Sequence, residues 1–320
     1  MSTVLPYILL VFGFFILVKG ADFFVEGSSS IAKRLNIPDI IVGLTIVAMG
    51  TSAPEAAVSI TAAFNGSSGI AIGNVVGSNI LNLLLVLGVA AVILPLSVDK
   101  SIFKRDFPFL IVTSILLPIL CLLFNLKLGR IAGAILFAVF VTYMILTIKS
   151  ALAYRKSTSS SESSESGEQI KILPVWKSLL YTIGGAVVIV LGGNLSVESA
   201  TDIAKQLGIS DALIGLTVVA IGTSLPELVT SVVAAKKGST DMALGNVIGS
   251  NLFNVLFILS ITSLICPFKI SMESVIDQLI LLAVTIYVFI CAFTKRKIVR
   301  LEGVSFLLIY AAYTTYIIIR

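Results

Sequence analysis

Histidine is absent from this 320-residue chain, which removes both the commonest general base and the commonest zinc ligand. Charge is scarce as well. Asp, Glu, Lys and Arg make up 12% of the residues, against roughly 25% in a soluble domain. The chain therefore lacks the polar surface that soluble domains of this length need. Its three cysteines, Cys121, Cys266 and Cys291, lie in or beside apolar runs, where neither a disulfide framework nor a metal knuckle is expected. No small-residue cleavage site follows the first apolar run, so no cleavable signal peptide is expected. What is present is 57% hydrophobic, with a mean hydropathy of +1.08. That composition specifies an all-α polytopic membrane protein. The net charge of +5 does not point to nucleic acid, because the basic residues sit at the ends of apolar runs, as topology signals do.

Apolar runs of roughly 17–25 residues mark transmembrane helices. About ten can be placed, centred near Phe14, Gly50, Asn82, Ile115, Leu136, Val188, Gly222, Asn254, Thr285 and Leu308. An even count puts both termini on one side. Lys33, Arg34, Lys100, Lys104, Arg105, Lys149, Lys236, Lys237, Lys295 and Arg300 share one face with several further cations, whereas Lys127, Arg130, Lys205, Lys269 and Arg320 occupy the other. The positive-inside rule makes the first face cytoplasmic and both termini extracellular. One long polar segment, the Ser/Glu-rich run Ser157–Gln169, cannot bury a core and is expected to be a disordered cytoplasmic linker. The expected organisation is a first five-helix unit over 1–156, a linker over 157–172 and a second five-helix unit over 173–320.

The two units are copies. Asp39–Ala90 aligns without a gap on Asp211–Thr262, with about half the positions identical, and the register extends upstream through Gly20, Val25 and Glu26 onto Gly192, Val197 and Glu198. A unit with an odd number of spans re-enters the membrane upside down, so the copies form two inverted repeats, with repeat cores at 39–90 and 211–262. Secondary transporters that bind substrate near the bilayer midplane have this organisation.

Two carboxylates lie deep in otherwise uncharged spans, at equivalent places. They end the motifs Gly50-Thr51-Ser52-Ala53-Pro54-Glu55 and Gly222-Thr223-Ser224-Leu225-Pro226-Glu227. Proline removes an amide donor and clashes with the carbonyl four residues back, so both helices should break here. Within a bilayer such a break survives only where the freed backbone is buried or lines a cavity. Freed carbonyls, Thr and Ser hydroxyls and a carboxylate make an all-oxygen cluster suited to hard cations such as Ca²⁺ and Na⁺. A competing reading makes each glutamate a protonated residue bonded to a neighbouring helix; its recurrence at two equivalent breaks favours the ion site. The next spans repeat Asn74, Ser78 and Asn82 as Asn246, Ser250 and Asn254, each trio on one helix face. Glycines flank them in a small-xxx-small pattern. We read the glycines as packing and the Ser/Asn face as binding, with Asn79 and Asn251 as candidates for helix cross-links.

With both motifs present twice, the sequence resembles the calcium/cation antiporter superfamily, and within it the prokaryotic, archaeal-type sodium/calcium exchangers. The resemblance covers nearly the whole chain and implies four cation sites between spans two, three, seven and eight. By position, it implies that Glu55 and Glu227 hold Ca²⁺ together with the carbonyls of Thr51 and Thr223. It assigns the outer sodium sites to Ser52, Ser78, Ser224 and Ser250 with the carbonyls of Ala48 and Ala220, and sets Asn82 and Asn254 beside the middle site. Potassium-dependent members carry aspartate at the position of Asn254; amides at both middle positions resemble the potassium-independent exchangers. Proton exchangers carry an acidic residue shortly after Gly-Asn, where this chain has Val76, Gly77 and Ser78.

The resemblance implies an electrogenic exchange of three Na⁺ for one Ca²⁺ by alternating access. Spans one and six, rich in small residues such as Gly20, Ala21, Gly27, Gly192 and Gly193, would slide as a gate. Asp22, Glu26 and Glu198 are candidates for the cavity mouths. Ca²⁺, Na⁺ and the lipid bilayer are the expected partners, with no cofactor, no nucleic acid and no obligatory protein partner. A proton/Ca²⁺ antiporter of the same fold is the nearest rival. An intramembrane hydrolase using the two glutamates is a distant one, since rings of Ser and Asn oxygens suit a cation better than a water nucleophile. The chain is thus expected to be a transporter and not an enzyme.

Overall fold

Helices long enough to span a bilayer follow the apolar runs closely. The computed structural model describes residues 4–158, 173–208 and 220–319; most of the expected linker and the opening of the second repeat core, 211–219, lie outside the described residues. In the first half the helices are α1 (Leu5–Leu35), the pair α2 (Asp39–Thr51) and α3 (Ala53–Phe64), α4 (Ser68–Ile93), α5 (Ile102–Leu123) and α6 (Arg130–Tyr154). In the second half they are α7 (Val175–Gln206), α8 (Ala220–Thr223), α9 (Leu225–Lys236), α10 (Thr240–Ile265), α11 (Met272–Lys295) and α12 (Arg300–Ile319). Among the described residues eight helices are long and apolar enough to cross a membrane, and the α2–α3 pair makes a ninth. The molecule is a multi-pass, all-helical membrane protein.

The prolines break the helices where expected. At Ser52 the chain leaves helical geometry (φ −83°, ψ 9°) and α3 starts with Pro54 in its first turn, bending the pair by 47°. Ser224 repeats this (φ −92°, ψ 5°) before Pro226 in the first turn of α9. A proline there loses only a donor that a helix start leaves unpaired anyway. Glu55 and Glu227 consequently fall in the first turns of α3 and α9, where the helix dipole favours negative charge.

Burial locates the centre. Most of the α4 and α10 spans is buried, whereas little of α12 is, so α4 and α10 form the core and α12 faces outward. Each passes through a π-helical turn, Asn82–Val86 in α4 and Asn254–Leu259 in α10, a distortion that often marks functional positions. Two short antiparallel ladders tie the halves together: Leu96–Ser97 pairs with Lys297–Ile298, and Lys127–Leu128 with Phe268–Lys269.

The small residues of α1 and α7 serve each other. The two helices run antiparallel in backbone contact: a Cβ on Gly20 would lie 2.8 Å from the Ile189 nitrogen, and one on Gly185 would lie 2.7 Å from the Phe24 nitrogen. These glycines interlock the two helices as one unit.

Candidate ion-binding site

Glu55 and Glu227 are fully buried at the two helix breaks. Oε1 of Glu55 accepts hydrogen bonds from Ser224 Oγ (3.0 Å) and Ser78 Oγ (3.5 Å). Oε1 of Glu227 accepts from Ser52 Oγ (2.7 Å) and Ser250 Oγ (3.5 Å). Each break serine therefore serves the glutamate of the opposite half, and this crossing brings the two copies into one site. Oε2 of each glutamate is buried and accepts no hydrogen bond from a described residue. A buried carboxylate oxygen left unsatisfied is costly, and a cation seated against it removes that cost.

The remaining predicted residues lie on helices α2, α4, α8 and α10. Thr51 is fully buried; its hydroxyl lies 3.1 Å from both Val47 O and Asn246 Oδ1 and has one proton to donate between them. Thr223 Oγ1 donates to Asn74 Oδ1 at 3.3 Å. The Ala48 carbonyl accepts the Ser52 N–H at 3.0 Å and has the Thr51 hydroxyl at 3.4 Å. Pro54 has no N–H, so the Gly50 carbonyl loses its partner one turn on. Ala220 opens α8. Asn82 and Asn254 are fully buried. Neither polar atom of the Asn82 amide meets a described partner, whereas Asn254 Nδ2 donates to Asn79 Oδ1 at 3.0 Å.

The Asn74 and Asn246 amides bond within the protein, donating to Ser59 Oγ and Ser231 Oγ at 2.9 Å and, at 3.3 and 3.4 Å, to the backbone carbonyls of Glu55 and Glu227. Ser59 and Ser231, both fully buried, escaped the sequence reading; the signal was a serine one turn after each glutamate in both copies. Asn79 cross-links helices, as expected, through Asn251 O at 3.0 Å.

A cavity of about 700 Å³ reaches these breaks from one side. It lies between α3 and α7, with Pro54, Thr223 and Pro226 in its wall and Asn65, Asn194 and Glu198 also lining it. Glu198 thus lines this cavity. Asp22 is instead ion-paired with Lys237, and Glu26 is half-buried outside the cavity lining.

The family profile described as sodium/calcium exchanger protein matches residues 5–149 and 177–319. The chain belongs to that family. As a sodium/calcium exchanger family member it is a transporter and not an enzyme. It is 39% identical over 308 residues to the putative antiporter CaxA of Alkalimonas amylolytica, covering 94% of this chain and 95% of that protein. It is 34% identical over 347 residues to the sodium/calcium exchanger MaX1 of Methanosarcina acetivorans, covering 96% and 97% respectively. A solved structure of the sodium-calcium exchanger NCX_Mj superposes with a TM-score of 0.84 at 32% identity, over 99% of this chain and 100% of that one.

Proposed function

We propose that the chain exchanges Na⁺ for Ca²⁺ across the membrane by alternating access, with the ions bound between the two helix breaks. One observation carries this reading: two buried glutamates, each held by a serine of the opposite half, each keep a buried carboxylate oxygen with no hydrogen-bond partner among the described residues. Glu55 and Glu227 bind Ca²⁺, joined by the Thr51 and Thr223 carbonyls. Ser52, Ser78, Ser224, Ser250 and the Ala48 and Ala220 carbonyls complete the Na⁺ sites, with Asn82 and Asn254 flanking the middle. The shell is all oxygen, as hard cations require.

Ten spans in two inverted five-helix units, over 1–156 and 173–320, supply the alternation. The matched contacts support that arrangement. Hydrogen bonds around Glu55 recur around Glu227, and the Leu96–Ser97 ladder, on the side rich in Lys and Arg, has its repeat counterpart in the Phe268–Lys269 ladder on the other. The basic side is cytoplasmic and both termini are extracellular.

Two carboxylates make the Ca²⁺-bound site neutral and the three-Na⁺ form singly positive. Each cycle then moves one charge, worth about 2.3 kcal/mol per 100 mV. A tenfold Na⁺ gradient adds about 1.4 kcal/mol per ion, so the cycle sustains a Ca²⁺ gradient on the order of 10⁴–10⁵. With amides at both middle positions, K⁺ is not required. The test is Ca²⁺ uptake into proteoliposomes under separately imposed Na⁺, H⁺ and K⁺ gradients, with membrane potential recorded. Uptake driven by Na⁺ alone, accompanied by charge movement, is expected; uptake driven by H⁺ without Na⁺ would replace this reading with proton/Ca²⁺ exchange.

A further inference from the structure

The two clefts that flank the candidate site are related by the repeat but differ in state and in chemistry. Between α3 and α7 lies the 700 Å³ cavity. Its counterpart, between α9 and α1, is closed by direct packing of those two helices. At the closed cleft Lys237, which caps the C-terminal end of α9, reaches back to α1. Its Nζ donates to the backbone carbonyl of Asp22 at 2.8 Å and lies 3.3 Å from Asp22 Oδ1. Both side chains are about one-third exposed (35%). Lys19, on α1 itself, stands 3.9 Å from Asp22 Oδ2. In the repeat register Asp22 corresponds to Asn194 and Lys237 to Asn65. Both asparagines line the open cavity. One copy of the cleft thus carries an ion pair and is shut; the other carries two neutral amides at the same positions and is open.

We infer that Asp22 and Lys237 form a one-sided latch, which holds α1 against α9 and biases the protein towards the state open between α3 and α7. The geometry favours one register. A single ammonium grips both the carbonyl and the carboxylate of one residue, so a slide of α1 by one turn, about 5.4 Å, breaks both contacts together. Because α1 and α7 are interlocked through Gly20 and Gly185, releasing α1 from α9 also moves α7 relative to α3. One latch then controls both clefts. The energy is modest, as it must be in a protein that cycles: a partly exposed ion pair shifts such a two-state balance about fivefold. The asymmetry assigns the chain a resting state that equal halves would not have.

This inference rests on the alternating-access reading, but its test does not depend on which ions are carried. Hydrogen–deuterium exchange of the full chain would be followed along α3 and along α9, for wild type, Asp22→Asn, Lys237→Gln and the transplanted pair Asn194→Asp with Asn65→Lys. Each neutralisation should speed exchange along the last turns of α9 about fivefold and slow it along α3. The transplant should slow exchange along α3 by a comparable factor, by furnishing the open cleft with its own latch. Reciprocal changes in the single variants, with protection of α3 in the transplant, support the latch. Unchanged exchange on both helices, or a change at α9 with no opposite change at α3, overturns it and leaves a local surface contact. Loss of Na⁺ coupling in proteoliposomes would instead refute the ion assignment and leave the exchange result intact.

Discussion

Around the two glutamates the halves of the molecule agree contact for contact; one turn further along the core helices they part. Ser52 meets Glu227 as Ser224 meets Glu55, and Ser78 and Ser250 stand at the same 3.5 Å from their glutamates. At the amides the match ends. Asn254 donates to Asn79 at 3.0 Å, whereas its counterpart Asn82 and the corresponding acceptor Asn251 are buried without that bond. On the proposed reading a carboxylate pair facing a divalent ion needs both members equally, which accounts for the symmetric centre. A neutral amide can leave one partner for another at little cost, so the flanks are where the halves are free to differ.

The largest effect should come from breaking the symmetric centre. Glu55→Gln or Glu227→Gln removes one of two charges from the proposed Ca²⁺ shell and should lower Ca²⁺ transport at least about tenfold, by similar factors in the two variants. Uptake in proteoliposomes at matched protein levels checks this; near-normal exchange in both would move the site elsewhere.

The crossed serines come next. Ser52→Ala or Ser224→Ala should weaken Ca²⁺ binding about three- to fivefold. That is less than a full hydrogen bond to a charged group contributes, because each glutamate Oε1 keeps a second serine donor, Ser250 on Glu227 and Ser78 on Glu55. A double-mutant cycle sharpens the point. Ser52→Ala should have little further effect once Glu227 is Gln, and its usual effect when Glu55 is Gln. Stronger coupling of Ser52 to Glu55 would contradict the crossing.

That crossing shows where sequence reading runs out. The breaks at Pro54 and Pro226 and the equivalence of the two motifs follow from local chemistry and from repetition, and both were legible. Which serine meets which glutamate is a tertiary fact, and repeat register alone suggests partners within one half. Arg105 counts in the sequence as one cation of the basic face, and its partner is visible only in the structure. It lies beside fully buried Asp106, bonding it at 2.7 and 3.1 Å, with Tyr143 Oη donating to the same carboxylate at 3.1 Å. Nothing in the spacing of Tyr143 announces that contact. The small residues of α1 and α7 are evident in the sequence; that each set receives the backbone of the other is visible only in the structure.

The amides should separate the two halves more weakly. Asn254→Asp replaces the amide that donates to Asn79, and a carboxyl group can keep that bond only by holding a proton. Asn82→Asp disturbs no such bond. Identical behaviour would follow if sequence equivalence governed both positions, but the difference in bonding predicts a stronger pH response in Asn254→Asp. Exchange rates for both variants across pH 6–9 decide it. Matching profiles would mean that the Asn254–Asn79 bond does not matter in the transport cycle.

The smallest effect tests the packing serines. Ser59→Ala and Ser231→Ala each remove the acceptor of a 2.9 Å bond from Asn74 or Asn246. Each amide nitrogen then keeps only its longer bond to a glutamate carbonyl, 3.3 Å for Asn74 and 3.4 Å for Asn246. The N–H that loses its acceptor differs in surroundings: Asn246 is fully buried, whereas Asn74 is partly exposed. An unsatisfied buried donor costs about 1–3 kcal/mol, and one that water can reach costs less. Ser231→Ala should therefore destabilise the protein by about 1–2 kcal/mol and Ser59→Ala by under about 1 kcal/mol. Thermal unfolding in detergent would rank the two. Apparent Ca²⁺ affinity should stay within about twofold of wild type in both, since neither hydroxyl contacts a glutamate carboxylate and so small a change is about 0.4 kcal/mol. A larger loss of affinity with unchanged stability would transfer Ser59 and Ser231 from helix packing to the ion shell, and would bring Asn74 and Asn246 back as ligands.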